Sequence, residues 1–242
     1  MTVLTRRGVL LSTAAAITFA GSASTTWAQD IKELVIAYNV NLPSWNPTVG
    51  ASAVNPTIQG LYQSVFDLFI AQDTDLTQTA GLITDWGWNA DKTKVHMTVR
   101  DGVTWHNGDP LTAEDVAWSL ERAADPEGGN PIQFIWSTIG NFAIDGNKIT
   151  GDVLRFEPTI FKWMSFLTGY VLPKAYVEKV GADGFEAAPI GTGPYMVEKY
   201  ERNAFVRLKA NDNYWGGAPE FKSVTIKFVT DAAGRVAEVE SG

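Results

Sequence analysis

The sequence predicts a mixed α/β fold, and three observations predict it. Short stretches such as "KVHMTV" and "SVTIKFV" alternate apolar and polar residues, the period of half-buried strands. Others, such as "NPTIQGLYQSVFDLFI", space their apolar residues three and four apart, the period of a helix packed on a core. The two kinds interleave along the chain, joined by hairpin turns in some places and by helical crossovers in others.

The elements follow in order. "ELVIAYNV" is β-favouring and is closed by "NLPSWNPT", whose two prolines and polar turn formers end a strand and begin an irregular loop. From Asn55, the residues Ile58, Leu61, Tyr62, Val65, Phe66 and Phe69 share one helical face, and Pro56 suits the first turn. Val95, Met97 and Val99 make a short strand, beyond which Asp101-Gly102 and Asn107-Gly108 supply the positive φ of tight turns. Thr112 then caps a helix with Glu114 and Asp115 at its positive end and Val116, Leu120 and Ala124 on its inner face. "NFAIDGNKITGDVLRF" reads as a hairpin turned at Asp145-Gly146. Pro158 opens a helix running through Phe161, Met164 and Leu167 to Gly169, and "LPKAYVEKVG" is a second helix with its own terminal glycine. Two strands turning around Glu201, Arg202 and Asn203 follow, and the last strand sets Val224, Ile226 and Phe228 on one face.

Composition narrows the function. The 242 residues are 45% hydrophobic and 12% aromatic against 19% charged, which is enough apolar surface for a sizeable core and excludes a disordered chain. A formal net charge of -8 opposes nucleic acid and anionic lipid as partners, since both need a basic footprint. With no cysteine, there is no disulfide, thiolate zinc site, lipid-modified cysteine anchor or cysteine nucleophile. The first residues have the three-part plan of an export signal: basic Arg6 and Arg7, an uncharged run from Gly8 to Ala23, then small residues to Ala28, after which cleavage is expected. The paired arginines suggest the twin-arginine route, with the ordinary secretory route also open. Either route predicts a periplasmic protein.

No residue pattern announces chemistry. "GTGP" lacks the spaced glycines of a dinucleotide loop and the Gly-Lys-Ser/Thr of a phosphate loop, so it reads as a stiff turn. His96 and His106 are the two histidines; without a third nitrogen or sulfur ligand nearby, no metal site is expected. There is no Gly-x-Ser-x-Gly elbow in the mature chain and no evident acid–base pair of carboxylates, so no catalytic residues and no cofactor are assigned. Of nine tryptophans, Trp45, Trp105 and Trp136 fall in or beside loops; most tryptophans belong to cores, and the rest can line a ligand groove.

"VRDGVTWHNGDPLTAEDVAWSLERA" closely resembles the signature of extracellular solute-binding proteins of the peptide/nickel (oligopeptide-binding) type. "PIGTGPYMVEKY", "NDNYWGGAPEFKSVTIKFV" and "DAAGRVAEVESG" resemble three further segments of that family in the same order, so the likeness covers essentially the whole mature chain. It implies a periplasmic-binding-protein-like (type II) α/β lobe with an added α+β subdomain. Residues 29–56 and 187–242 would form the lobe, and residues 57–186 the subdomain. In such proteins "RVAEVESG" leads into a second lobe, so that lobe is expected to be missing here, through fragmentation or truncation. The resemblance further implies a monomer that captures a peptide or small polar solute and delivers it to an inner-membrane ABC permease. The loop after the first strand borders the cleft in such proteins, which points to Asn39, Asn41, Trp45 and Asn46. Trp136, in the subdomain, is a further ligand-binding candidate. Trp45 stands where the family often has a smaller apolar residue, so an altered ligand preference is expected; peptide, nickel complex, oligosaccharide and opine-like ligands stay open. The rival readings are an exported hydrolase and a truncated fragment that binds nothing.

Overall fold

The computed structural model describes residues 33–241, so the predicted export signal at residues 1–28 lies outside the described residues. Strand β1 (Glu33–Tyr38) leads into the predicted irregular loop. Helix α1 (Pro56–Val65) starts where Asn55 accepts a bond from the Thr57 N–H, with Pro56 at its first position. It stops at Val65, short of the predicted Phe69, because Phe66 is extended and the Val65 carbonyl accepts from the Gly193 N–H at 3.0 Å. Two short strands, β2 (Ala71–Gln72) and β3 (Gln78–Thr79), form a hairpin.

Then come β4 (Ile83–Trp88) and β5 (Lys94–Val99), antiparallel to each other. Gly102 and Gly108 have φ of 76° and 89°, as the two predicted turns require. Helix α2 (Ala113–Ala124) carries a full capping box. The Thr112 hydroxyl accepts from the Asp115 N–H, and the Asp115 carboxylate accepts from the Thr112 N–H at 2.9 Å. A single turn, α3 (Gln133–Trp136), precedes the hairpin of β6 (Ile139–Asp145) and β7 (Lys148–Val153), turned at Gly146 with φ 61°.

The helix predicted from Pro158 to Gly169 shrinks to one turn, α4 (Ile160–Trp163). Its continuation is pre-empted, because the Met164 and Gly169 carbonyls accept from the Ile70 and Phe69 N–H groups instead. Helix α5 (Lys174–Ala187) breaks at Gly181, the predicted terminal glycine, where φ is 72° and ψ is 179°. Strands β8 (Tyr195–Glu201), β9 (Phe205–Ala210) and β10 (Ser223–Phe228) and helix α6 (Ala232–Ser241) complete the order.

The larger strands make two four-stranded sheets, ordered β1-β10-β9-β8 and β4-β5-β7-β6. The second is wholly antiparallel; in the first, β1 pairs parallel to β10, with Glu33 opposite Ser223 and Tyr38 opposite Phe228. Each sheet has its own core. Leu61, Tyr62 and Val65 of α1 and Phe185 of α5 pack on Val206, Leu208, Val224 and Ile226 of the first sheet. Val116 and Leu120 of α2 pack with Val95, Met97, Ile149 and Trp136 at the second. The "GTGP" turn docks between them: a Cβ on Gly191 would lie 2.1 Å from the Val65 carbonyl oxygen, so only glycine allows that approach.

Candidate functional site

Parallel pairing brings the carboxyl ends of β1 and β10 to one edge, where the Val229 N–H donates to the Tyr38 carbonyl at 2.8 Å. Ligands of open α/β sheets bind outside such carboxyl ends, in the loops rooted there. The loop after β1 is therefore the place to look. Asn39 is exposed and Asn41 half-buried at this edge, and neither side-chain amide has a protein partner among the described residues.

Beyond Asn41 the loop is held from below. The Tyr200 hydroxyl donates to the Leu42 carbonyl at 3.0 Å and the Tyr62 hydroxyl donates to the Ser44 carbonyl at 2.7 Å. The Glu186 carboxylate takes the opposite polarity. It accepts from the Trp45 N–H at 2.8 Å, from the Asn46 N–H at 3.2 Å and from the Ser44 hydroxyl. The Trp45 ring is fully buried against this support, edge-on to Tyr200 with centroids 5.5 Å apart, and its indole N–H has no partner among the described residues. Asn46 spends its side-chain carbonyl on Thr48, accepting from the N–H at 3.1 Å and the hydroxyl at 2.8 Å. Under the loop lies a cavity of about 140 Å³ lined by Ser44, Asn46, Arg122, Phe185 and Glu186.

The structure thus gathers Asn39, Asn41, Trp45 and Asn46 in one loop, with Asn39 exposed, Asn41 and Asn46 half-buried and Trp45 buried. Trp136 is elsewhere: it closes α3, is 1% exposed in the second core, and donates its indole N–H to Thr168 at 2.8 Å. The loop placement read for it from sequence gives way to core packing beside Phe69. Glu186 was not legible as a site residue, because a lone glutamate late in a helix carries no signal of donors some 140 positions upstream.

A second polar centre sits where the "GTGP" turn docks. Asp67 accepts from the Thr192 hydroxyl at 2.8 Å, the Tyr214 hydroxyl at 2.9 Å and the Trp215 indole at 2.8 Å. Burial pushes its carboxyl above the usual range, opposed by those three bonds and the Arg100 charge. A cavity of about 310 Å³ opens beside it, lined by Gln63, Phe166, Tyr214 and Trp215 among others. His106 grips the same turn: the Gly191 N–H donates to Nδ1 at 3.1 Å, and Nε2 lies 3.0 Å from the Gly193 carbonyl. Burial lowers the imidazole's pKa, and the neutral ring with a proton on Nε2 satisfies both contacts. His106 is thus a fastening of the turn. Among the described residues no three His, Cys, Asp or Glu side chains are grouped to hold a metal ion. No helix among them is long and apolar enough to cross a membrane.

Comparison with known proteins bears on what such an edge serves. Residues 77–242 match the family of bacterial extracellular solute-binding proteins, family 5 Middle. The nickel-binding periplasmic protein of Escherichia coli (strain K12) is 24% identical over 217 residues, 87% of this chain and 40% of its own. The glutathione-binding protein GsiB of Salmonella typhi is 28% identical over 233 residues, 94% of this chain and 44% of its own. The crystal structure of NikZ from Campylobacter jejuni in complex with Ni(L-His) superposes with a TM-score of 0.78 at 24% identity, covering 88% of this chain and 42% of that one. The fold is therefore the type II periplasmic-binding-protein-like α/β fold, and the chain spans about two fifths of the length of the relatives it matches.

Proposed function

From the premise that the chain belongs to the bacterial extracellular solute-binding proteins, family 5, we propose that it supplies one wall of the solute clamp of an ABC importer. The observation that carries this reading is the carboxyl edge of β1 and β10, where Asn39 and Asn41 offer unpartnered amides above a loop fixed from beneath. Amides both donate and accept, which suits the backbone and termini of a peptide or a comparably small polar solute. The ligand set is Asn39 and Asn41 in direct contact and Asn46 at the loop's far end. Trp45 and Trp136, buried as they are, act through packing.

The sheet β1-β10-β9-β8 belongs to the lobe, and the sheet β4-β5-β7-β6, within residues 57–186, to the added subdomain. Because α1 and α5 pack into the lobe's core, they are best counted with the lobe. The chain acts in the periplasm as a monomer after removal of residues 1–28, hands its solute to an inner-membrane permease, and catalyses nothing. Two walls are needed for a ligand to drive closure, since only a difference in contacts between open and closed states shifts the equilibrium.

The test is calorimetric titration of the full chain with a dipeptide, glutathione and nickel–histidine, with tryptophan fluorescence in parallel. Binding of one of them, weakened about tenfold or more when Asn39 and Asn41 are changed to alanine, is the expected outcome. A response unaffected by both substitutions defeats the assignment of this edge. Mass spectrometry of the periplasmic protein checks cleavage after Ala28.

A further inference from the structure

Three side chains from outside the loop hold the main chain between Leu42 and Asn46, where the Asn46 N–H also donates to the Ser44 hydroxyl at 2.9 Å, and the three are not equivalent. The phenols of Tyr62 and Tyr200 each give one hydrogen bond to a carbonyl. Glu186 alone accepts from consecutive N–H groups, those of Trp45 and Asn46, and from the Ser44 hydroxyl as well. Consecutive N–H groups turned to one side form a concave site for an anion, and here a side chain of the same protein occupies it. Hydrogen bonds to an ionised acceptor are about twice as strong as neutral ones, so this contact dominates the loop's shape.

The carboxylate is itself well anchored. Phe185, its neighbour, is buried and stacks on Phe66 with ring planes 28° apart, which fixes the last turn of α5. The break at Gly181 re-aims that turn: a continuous helix from Lys174 would carry residue 186 along a different axis. The chain therefore spends a helix break, a buried aromatic and a carboxylate on one short stretch of loop.

We propose that Glu186 is the positioning residue of the ligand-facing loop, an internal anion that sets the conformation in which Asn39 and Asn41 are presented. This rests on the reading of the loop as one wall of a solute clamp, and it deepens it. Binding costs fall when a loop is ordered before its ligand arrives, so removing the anion is expected to cost affinity without removing any ligand contact.

The experiment compares the full chain with Glu186→Gln, Glu186→Asp and Ser44→Ala. Amide hydrogen exchange is followed at Trp45 and Asn46, with the dipeptide Met-Leu as titrant. Glu186→Gln keeps the size but turns an amide toward N–H donors. Exchange at Trp45 and Asn46 should rise about tenfold or more with β9 and β10 amides unchanged, and Met-Leu affinity should fall by a similar factor. Glu186→Asp, which retains the charge, should recover part of the protection, and Ser44→Ala should show a smaller rise. Unchanged exchange at the two amides in Glu186→Gln overturns the proposal. So does a rise spread evenly over the sheet, which would make the carboxylate a general stabiliser, and so does loosened exchange with unaltered Met-Leu affinity. If the wild-type chain binds none of Met-Leu, glutathione and nickel–histidine while the exchange pattern appears, the clamp reading fails and the loop-setting role of Glu186 stands.

Discussion

Burial acts in opposite directions on the two titratable side chains that fasten the "GTGP" turn. His106 is held neutral, with its pKa pushed below the ordinary 6.5. The unfolded chain binds a proton there first, so its contribution is complete above pH 6.5 and is lost as the pH falls toward the folded value. Asp67 has the reverse sign. Its pKa lies above 3.8, so the folded state takes the proton first, and stability is gained as the pH falls through that raised value. Urea denaturation followed from pH 7.5 to 5 in the wild type and in His106→Asn isolates the histidine's share of the slope, which is at most about 1.4 kcal/mol per pH unit. His106→Asn should be less stable at pH 7.5 and should lose that share of the slope. A slope identical in the variant would show that the ring titrates as freely in the fold as outside it.

Among elements, α2 is the most fully specified at its start. Asp115 completes the capping box through one oxygen and accepts from the Lys174 N–H at 2.9 Å through the other, tying the first turn of α2 to the first turn of α5. Thr112→Ala is expected to cost about 1 kcal/mol, the usual value of a cap. Asp115→Ala strands two N–H groups at a residue only 7% exposed, and is expected to cost about 2 kcal/mol or more in the same urea experiment. Equal costs for the two would remove the tie to α5. This start was legible because a cap is a local affair, and so were the Gly102, Gly108, Gly146 and Gly181 turns, each marked by one residue type. Strand β4 was not read as a strand: its bulge between Ile83 and Asp85 shifts the phase of the alternation and hides the period. The C-terminal end of α1 and the shortness of α4 were missed for a different reason, since carbonyls there are claimed by distant N–H groups. The candidate site divides in the same way. Its loop was legible through family likeness, whereas Glu186 and Asp67 depend on partners far away in the chain.

At the scale of the molecule, two cores share one chain and several fastenings. The Ser119 hydroxyl accepts from the Leu172 N–H at 3.0 Å, Asp67 reaches Thr192 and Trp215, and His106 holds Gly191 and Gly193. Ile149 lies in one core and Leu61 in the other, both fully buried. Ile149→Ala and Leu61→Ala are each expected to cost about 2–5 kcal/mol. With the fastenings intact, calorimetry should show both losses as a shift of one melting transition; two separating transitions would mean that the cores melt independently. The parallel pair also has a consequence in time. Residue 33 finds its neighbour only when residue 223 exists, whereas the β6–β7 hairpin closes across a turn. Distant pairings close slowly because the intervening chain must be gathered first. During synthesis, then, the β1–β10 pair that carries the candidate site is sealed after the β6–β7 hairpin. Until it is, its strands stand as open edges, which makes the nascent chain a natural client of whatever protein guards it on the way to folding.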